Sequence, residues 1–413
     1  MRAPIAYLRV QRSAGESVRN ARVPASLLNL MPRAPSLLAE CRALTHALTA
    51  YSTLDALESS AEWPSVRERL DALLGAVHRS VPANPAPGAG VAETVRVVQW
   101  NIEHGNWYDQ VERALLAHPE LAHADILTLD EVDLGCARAG NRDVAADLAQ
   151  ALGLHAAWVP LFLETTVGRD DDLRMAAGRA NEEGLFGIAV LSRWPIGEAR
   201  VVELPSPRKL QFELEHMIGR HAAFVVEVLR PGAPFIAVAA HLEVHRTRGH
   251  RTAQVRAIVD TLAHETRPVV LAGDFNTHTF DRGLWHSALH GASALMLMPG
   301  PLLRRRLLRP DRGPAREGLF DELNRAGFEW EPFMDFAPTL QLRYDRLDEL
   351  EAVPGPLHGL AERALGWAVQ RGTLRLDWIC GRGWRGGAGH TVHGLDGRGL
   401  ASDHAPIVAE LYG

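Results

Sequence analysis

The chain has 413 residues, of which 46% are hydrophobic and 23% are charged, as expected for a globular protein that buries a substantial core. Three cysteines without a CxxC spacing exclude a disulfide framework and a zinc ribbon, and they indicate a reducing compartment. The segment closest to a membrane span, residues 234–242, is far shorter than the roughly 20 residues that cross a bilayer. The first 20 residues lack the apolar core of a signal peptide. We therefore expect a cytoplasmic protein without a transmembrane segment.

The net charge of −6 is unevenly distributed along the chain. Residues 1–92 contain ten arginines and seven acidic residues, a balance of +3, so the remaining residues carry −9. An acidic main body is unlike a general nucleic-acid binder, which needs cations to neutralise phosphates. A local basic patch would still allow nucleic acid as a partner, although the charge does not favour it.

Two amphipathic helices are predicted before residue 85. Apolar residues recur at helical spacing over 36–50 and 65–78, whereas residues 1–33 show no period. The Pro/Ala/Gly stretch 81–94 is typical of a linker. We predict a helical N-terminal extension at 1–85 that can be removed, a linker at 86–94 and a main domain at 95–413. The partner of the two helices, either the main body or another protein, is left open.

Strands and helices are mixed from residue 95 onward. In chain order, strands are predicted at 95–100, 124–132, 155–163, 186–192, 198–204, 221–229, 234–241, 268–275, 374–381 and 406–411. Helices are predicted at 107–118, 141–152, 248–264 and 318–327. Since many strands follow one another directly, two packed sheets with outer helices fit better than an alternating βαβ fold. Residues 282–373 are rich in Pro, Arg and Leu, and we interpret them as a long insertion.

Polar residues stand at the ends of several apolar strands. Carboxylates, amides and imidazoles are costly at such positions unless they have partners. In chain order they are Asn101, Glu131, His241, Asp274 with Asn276, Asp377, and Asp403 with His404. Separate strands therefore deliver metal-binding and proton-transferring groups to what is expected to be one site.

The order of these residues resembles that of the endonuclease/exonuclease/phosphatase superfamily, which is DNase I-like. That superfamily includes pancreatic-type deoxyribonucleases, abasic-site endonucleases, neutral sphingomyelinases and inositol-polyphosphate 5-phosphatases. The matching segments are QWNIEHG (99–105), LDEVD (129–133), GIAVLSRWPI (187–196), AHLE (240–243), Arg251 with Gln254, LAGDFN (271–276), LDWI (376–379) and SDHAPI (402–407). The resemblance implies an α+β fold, a four-layer α/β-β/α sandwich of two packed mixed β-sheets flanked by helices, here with an N-terminal helical extension.

A metal site is implied by the resemblance. Glu131 is a hard oxygen ligand of the kind that Mg²⁺ prefers, and Mn²⁺ is an alternative. The family pattern places Asn101 next to that ion, and Asp403 is a candidate further ligand. The ion would act mainly as a Lewis acid and stabilise the leaving oxygen.

The same pattern implies the groups that handle protons and phosphate. His404 corresponds to the family's catalytic imidazole, which Asp377 would orient and charge. Asp274 would orient or deprotonate the attacking water. Asn276 would bind a phosphate oxygen, and His241 would contact the phosphate. One departure stands out, because Asp130 replaces the Gln that commonly precedes the metal-binding Glu; a second carboxylate there would raise metal affinity or alter a substrate contact.

We therefore predict a divalent-metal-dependent phosphoesterase that cleaves a phosphodiester by in-line attack of water. The charge of −9 favours a small-molecule or lipid-like substrate. A DNA or RNA nuclease of the same superfamily is the alternative. A catalytically weak binding or scaffold protein on this fold is a further one, although the residues whose loss would support it are present.

Three other motifs receive structural interpretations. GRGWRG (381–386) matches GxGxxG, but no helix can follow it, so we expect a loop between late strands. Residues 170–172, three consecutive aspartates, are expected in a solvated loop. The apolar and Arg-rich stretch 295–310 is expected to pack as a surface or lid segment, with contact to lipid or a polyanion as the alternative.

Overall fold

Two β-sheets pack face to face in the computed structural model, which describes residues 35–86, 93–282, 287–342, 367 and 370–413. The first sheet has the strand order β1-β4-β5-β3-β2-β15-β14, and β7 pairs with β4 beside this path. Its strands are β1 (His78–Ser80), β2 (Thr94–Asn101), β3 (Ile126–Leu134), β4 (His155–Glu164), β5 (Leu185–Ser192), β7 (Met217–Gly219), β14 (Gly386–Thr391) and β15 (Ile407–Tyr412).

The second sheet has five strands in the order β13-β10-β9-β8-β6. They are β6 (Ile196–Glu203), β8 (Ala222–Val228), β9 (Phe235–Ala240), β10 (Val269–Asp274) and β13 (Asp377–Arg382). Both sheets are mixed, because β2 runs parallel to β3 and β9 parallel to β10, while the other pairs are antiparallel. A separate two-stranded ribbon joins β11 (Leu340–Gln341) and β12 (Thr373–Leu374).

Helices cover the outer faces of both sheets. They are α1 (Pro35–Leu48), α2 (Leu54–Glu58), α3 (Trp63–Leu74), α4 (Tyr108–Ala117), α5 (Val144–Leu152), α6 (Asp170–Ala176), α7 (Arg208–Glu215), α8 (Arg248–Thr261), α9 (Ser287–Leu297), α10 (Gly300–Leu308) and α11 (Leu319–Arg325). Helices α1, α3, α4 and α5 pack on the first sheet, and α8 and α11 pack on the second. The predicted four-layer sandwich is therefore confirmed. Among the described residues no helix is long and apolar enough to cross a membrane.

Period-two alternation along the strands explains how the layers form. On β2, Val95 and Val97 belong to the core between the sheets, while Val98 and Trp100 belong to the core beneath the helices. Successive side chains of a strand point to opposite faces, so a strand covered on both sides is apolar throughout. The three cysteines are buried and form no disulfide.

The N-terminal helices are an integral layer of the main body. Cys41, Leu44 and Leu70 lie in the same core as residues of the first sheet. The helix predicted over 65–78 ends at Leu74, and the chain then forms β1, which pairs with β4. The packing argues against a removable extension, because removing residues 1–85 would expose this core and delete an edge strand. Folding of the remaining chain without it stays a prediction. The boundary at 85 itself stays a prediction, because residues 1–34 and 87–92 of the extension and linker lie outside the described residues.

The insertion over 282–373 contributes three of these helices. In α10, Leu303 and Leu307 pack against Leu374 and Leu376, which confirms the packing expected for part of 295–310. Leu302 on the same helix is 57% exposed. Residues 283–286, 343–366 and 368–369 of the insertion lie outside the described part of the chain.

One local expectation is wrong and another is confirmed. Residues 170–172 begin helix α6 and do not form a loop, because Asp171 pairs with Arg174 one turn on and Asp172 contacts buried Arg138. The loop expected at GRGWRG (381–386) is confirmed at residues 383–385, between β13 and β14, and residues 386–391 form strand β14. Glycine is required within that strand because a Cβ at position 389 would lie 1.9 Å from the carbonyl oxygen of Phe333.

Candidate active site

Polar side chains continue the inward-facing rows of both sheets at one end of the sandwich. On β2, Val97 faces the second sheet, and the same row continues to Asn101. On β10, β9 and β13 the same alternation places Asp274, His241 and Asp377 toward the space between the sheets. We call this end of the sandwich the mouth.

Glu131 reaches the mouth through a β-bulge in β3. The pairing of β3 with β5 shifts register between Leu129 and Val132, and Glu131 adopts a left-handed backbone with φ 52°. Without the bulge, Asp130 and Glu131 would point to opposite faces of the sheet. The bulge turns the Glu131 side chain to the same side as Asp130, where its carboxylate is 21% exposed.

Left-handed backbone is concentrated around the mouth. Nine described non-glycine residues have positive φ, and four of them are Glu103 (46°), His104 (64°), Glu131 (52°) and Asn276 (50°). Such conformations cost on the order of 1–3 kcal/mol each and persist only where the surroundings enforce them. Their clustering is typical of a functional site.

Asn101 joins two carboxylates across the gap between the sheets. Its Nδ2 donates to Glu131 Oε1 at 3.0 Å and to Asp274 Oδ2 at 3.3 Å. Its Oδ1 accepts from the Glu103 backbone N–H at 3.1 Å. The structure therefore brings Asn101 beside Glu131, but it turns the amide nitrogen and not the oxygen toward the carboxylates.

His404 and Asp377 form a buried pair, as the sequence predicts. His404 Nδ1 lies 2.8 Å from Asp377 Oδ2, and the other ring nitrogen, Nε2, lies 3.8 Å from Asp274 Oδ2. Burial opposes protonation of the imidazole, but the charge and hydrogen bond of Asp377 outweigh it and raise the pKa of His404 well above its usual value. Asp377 and Asp274 are direct neighbours across β13 and β10, so the two carboxylates and the imidazole form one cluster.

Asp274 is held from below by Asp130. The backbone N–H of Asp274 donates to Asp130 Oδ2 at 2.7 Å, and Gln99 Nε2 donates to the same oxygen at 2.7 Å. Burial, followed by the charge of Asp377, raises the pKa of Asp274 to about 7. Asp130 is fully buried and links the two sheets beneath the mouth. Asp130, which stands where the family commonly has Gln, therefore supports the backbone of Asp274.

His241 and Asn276 complete the predicted set around Asp274. His241 Nε2 lies 3.7 Å from Asp274 Oδ2 and 4.0 Å from Glu131 Oε1, and burial lowers the pKa of His241 to about 4. Asn276 donates its backbone N–H to Asp274 Oδ1 at 2.9 Å and its side chain to the Leu242 carbonyl at 2.8 Å. The imidazole is therefore neutral at physiological pH, and the amide is fixed beside the carboxylate.

Asp403 is half-buried next to His404, and its charge contributes to the raised pKa of that imidazole. Its part as a metal ligand stays a prediction.

Sequence reasoning missed two residues that shape the mouth. Thr339, from within the insertion, accepts through Oγ1 from the backbone N–H of Leu376 at 3.0 Å and of Asp377 at 3.3 Å. No local sequence pattern around Thr339 predicts this contact. The second is His104, whose Nε2 lies 3.3 Å from Glu131 Oε2. It stands three positions after Asn101 in NIEHG, which was the available signal.

The donor set fits a divalent cation. Within 4 Å, the basic side chains that approach the carboxylates of Glu131, Asp274 and Asp377 in the described part of the chain are all histidines. Such a concentration of buried carboxylate oxygens without Lys or Arg suits a hard divalent ion such as Mg²⁺. Glu131 has carboxylate lone pairs available, whereas Asn101 would have to rotate its amide and give up the Glu103 contact to offer Oδ1.

Comparisons with solved structures found several similar proteins. Solved structures with a similar chain course include an endonuclease/exonuclease/phosphatase from Beutenbergia cavernae, with 19% identity over 77% of this chain and 71% of that chain and a TM-score of 0.43. Human Nocturnin, as its catalytic domain, shows 17% identity over 80% and 98% of the two chains with a TM-score of 0.40. Sphingomyelinase C from Streptomyces griseocarneus shows 15% identity over 77% and 99%, also with a TM-score of 0.40. Identities this low say nothing about the substrate.

No curated protein sequence matches the chain significantly. A family model described as the Endonuclease/Exonuclease/phosphatase family matches residues 98–404, the stretch that runs from β2 to His404. Members of this family are hydrolases of phosphoester bonds and are generally dependent on a divalent metal. Since the match covers well over half of the chain, this protein belongs to the endonuclease/exonuclease/phosphatase family of phosphoester hydrolases.

Proposed function

We propose that the chain is a divalent-metal-dependent phosphodiesterase that cleaves its substrate by in-line attack of water. The observation that carries the proposal is the mouth itself, where Glu131, Asp274 and the Asp377–His404 pair converge from both sheets. Phosphoryl transfer needs charge neutralisation, an aligned water and a stabilised leaving oxygen. The mouth offers groups for each need.

Glu131 would hold Mg²⁺ or Mn²⁺, with Asp403 as a further candidate ligand. A divalent ion bound there supplies Lewis-acid charge next to the phosphate and the leaving oxygen. Asn101, in the orientation observed, keeps the Glu131 and Asp274 carboxylates at a fixed separation. A rotated amide would place its Oδ1 beside the ion.

Asp274 and the two imidazoles would handle the proton and the phosphate. Asp274 Oδ2 orients the attacking water or accepts its proton as the new P–O bond forms and the bond to the leaving oxygen breaks. His404 presents Nε2 to the mouth because Asp377 occupies Nδ1. Neutral His241 donates an N–H to a phosphate oxygen, and Asn276, fixed by the Leu242 carbonyl, lies beside the same position.

A small-molecule or lipid-like diester is the proposed substrate class. The support is the charge of −9 over residues 93–413, which repels an extended polyanion. A DNA or RNA nuclease is the second candidate, because the family includes nucleases as well as phosphodiesterases. A catalytically weak binding protein is the lowest candidate, since it would have no need for the paired Asp377 and His404.

A substrate panel tests the proposal. The full chain, treated with EDTA and then supplied with Mg²⁺ or Mn²⁺, is assayed on bis-p-nitrophenyl phosphate, p-nitrophenyl phosphate, sphingomyelin, plasmid DNA and RNA. Glu131→Gln is the site variant, and Glu68→Gln, an exposed residue of α3, is the matched control. We expect metal-dependent cleavage of the diester that is lost in Glu131→Gln and kept in Glu68→Gln.

Other outcomes of the panel separate the candidates. Preference for DNA or RNA over the small diester and sphingomyelin would replace the proposed substrate class with the nuclease. Equal activity of Glu131→Gln and wild type would remove Glu131 from the metal site. No cleavage of any substrate with either metal would leave the binding protein as the better description.

A further inference from the structure

A histidine outside the predicted catalytic set lies against the proposed metal ligand. His104 Nε2 is 3.3 Å from Glu131 Oε2. The opposite ring nitrogen, Nδ1, faces Asp133 Oδ1 at 3.7 Å, which is an ionic contact longer than a hydrogen bond. The imidazole therefore lies between a carboxylate at the mouth and a carboxylate that is fully buried.

The buried carboxylate is fixed by an ion cluster. Arg138 donates to Asp133 through Nε at 2.7 Å and through Nη2 at 3.0 Å, a two-pronged contact. The same guanidinium contacts Glu164 at 2.5 Å and Asp172 at 3.3 Å, and its side chain is only 4% exposed. Because Arg138 is held on several sides, Asp133 has little freedom to move.

The backbone of His104 is fixed as well. The residue lies in a short 3₁₀ turn, Glu103–Gly105, with φ 64°. The next residue, Gly105, has φ 77°, and a Cβ there would come within 2.9 Å of the Val144 side chain. The His104 ring packs beside Phe186, with ring centroids 5.3 Å apart. A strained conformation enforced by close packing points to a side chain whose direction matters.

We infer that His104 is a positioning residue, which pairs through Nε2 with Glu131 Oε2 and holds that carboxylate in the direction in which it binds the divalent ion. This inference rests on the proposed function, since it requires Glu131 to be a metal ligand. Asn101 holds the other oxygen, Oε1, at 3.0 Å. Each carboxylate oxygen has a second lone pair, so both contacts leave room for the ion. Partners that orient metal ligands typically contribute about 10- to 100-fold in metal affinity.

Binding of Mn²⁺ alone tests the inference without relying on turnover. The full chain is titrated with Mn²⁺, and free Mn²⁺ is measured by electron paramagnetic resonance. The variants are His104→Leu, which removes the imidazole, and His104→Gln, whose amide nitrogen can reach the same oxygen. His46→Leu, an exposed histidine at the end of α1, is the matched control. Thermal unfolding is recorded for every variant.

We expect His104→Leu to weaken Mn²⁺ binding about 10- to 100-fold, and His104→Gln to recover most of the loss. His46→Leu should bind as the wild type does. A purely structural role for His104 would lower the unfolding temperature of both His104 variants and would not produce rescue by Gln. If His104→Leu does not fold, His104→Asn takes its place, because its shorter amide does not reach Glu131 and Asn tolerates the left-handed backbone. Weaker binding by Asn than by Gln supports the inference, and wild-type binding by Asn overturns it.

Failure of the inference is distinguishable from failure of the proposed function. Wild-type affinity or tighter binding in His104→Leu, together with lost binding in Glu131→Gln, would overturn the inference and leave the metal site standing. Equal binding by wild type and Glu131→Gln would overturn the proposed metal site, and the inference with it.

Discussion

The segment 276–281 contacts two buried polar clusters, which differ in how their charged groups are paired. In the first cluster, Arg251 and Glu317 are both fully buried and form a two-pronged ion pair, at 2.7 Å and 3.3 Å. The backbone N–H of Thr279 donates to the same Glu317 carboxylate at 3.0 Å. Each charge there has an opposite charge beside it.

The mouth lacks such matching. Asp274 faces His241 at 3.7 Å and His404 at 3.8 Å, and neither imidazole carries the permanent charge of an arginine. The first cluster holds the loop that follows β10 on helix α8, whereas the second keeps carboxylate oxygens available. The comparison shows that burial of polar groups alone does not identify a functional site. An excess of carboxylates over permanently charged cations is the more informative feature.

The largest expected effect comes from removing the metal or its proposed ligand. We predict that exhaustive EDTA treatment, or Glu131→Ala, lowers diester turnover by on the order of a thousandfold or more, since Lewis-acid stabilisation is worth several kcal/mol. The fold should survive, because Glu131 lies at a bulge at the mouth. Circular dichroism and turnover are measured together. Full activity after metal removal would show that the carboxylate excess has another purpose.

Next in size is the loss expected from the Asp377–His404 pair. His404→Ala should lower turnover by at least about 100-fold, the lower end for general acid–base catalysis. Asp377→Asn should also be severe, because an amide can stabilise the wrong tautomer of the imidazole. The two losses should not add in the double variant, since the residues act as one unit. Additive losses, or wild-type turnover in His404→Ala, would contradict the pairing.

Substitutions in the Arg251 cluster should lower the free energy of unfolding and should not affect metal binding. Arg251→Met leaves Glu317 buried without its cation, and we expect a loss of about 3–5 kcal/mol in the free energy of unfolding. Arg256→Met on the same helix removes an arginine that is 57% exposed and should leave the free energy of unfolding close to that of the wild type. Denaturant unfolding measures both. An equal loss of unfolding free energy in the two variants would contradict the proposed difference between the clusters.

The smallest effect is stabilisation by bound metal. At a free Mn²⁺ concentration about 100 times its dissociation constant, the wild type should gain about 2.7 kcal/mol of unfolding free energy. Glu131→Ala should gain little, while Arg256→Met should gain as much as the wild type. Unfolding with and without Mn²⁺ provides the measurement. A full gain in Glu131→Ala would place the ion elsewhere, for example among Asp274, Asp377 and His404, whose donor atoms lie within 4.8 Å of one another.

Much of the architecture could be predicted because it depends on local patterns. The apolar runs of β2, β9 and β10 and the helical stripe of α1 and α8 lie within a few residues of their predicted bounds. Strand β14 could not be predicted, since its glycines are required only by the close approach of Phe333, which comes from a distant segment. Likewise, no period distinguishes residues 78–80 as a strand until β4 is beside them.

The candidate site divides in the same way. The sequence predicts Asn101, Asp274, Asp377 and His404, because polar residues at the ends of buried strands need partners and their order along the chain resembles that of a known family. The contact of Thr339 with the backbone of Asp377 arises from the insertion and has no local signal. His104 was passed over because a lone histidine in a turn is not by itself evidence of a role.

The sequence by itself determined which strands form, which residues end them and which family they resemble, because alternation and strand-end polarity are properties of neighbouring residues. Only the tertiary structure decided how those ends are oriented. The bulge in β3 places the Glu131 side chain on the same side as Asp130. Asn101 directs its amide nitrogen toward Glu131, and Asp130 accepts a hydrogen bond from the backbone of Asp274. It also made the N-terminal helices part of the core, since their apolar faces are buried on the first sheet. These outcomes depend on contacts between residues far apart in the chain, which local patterns do not encode.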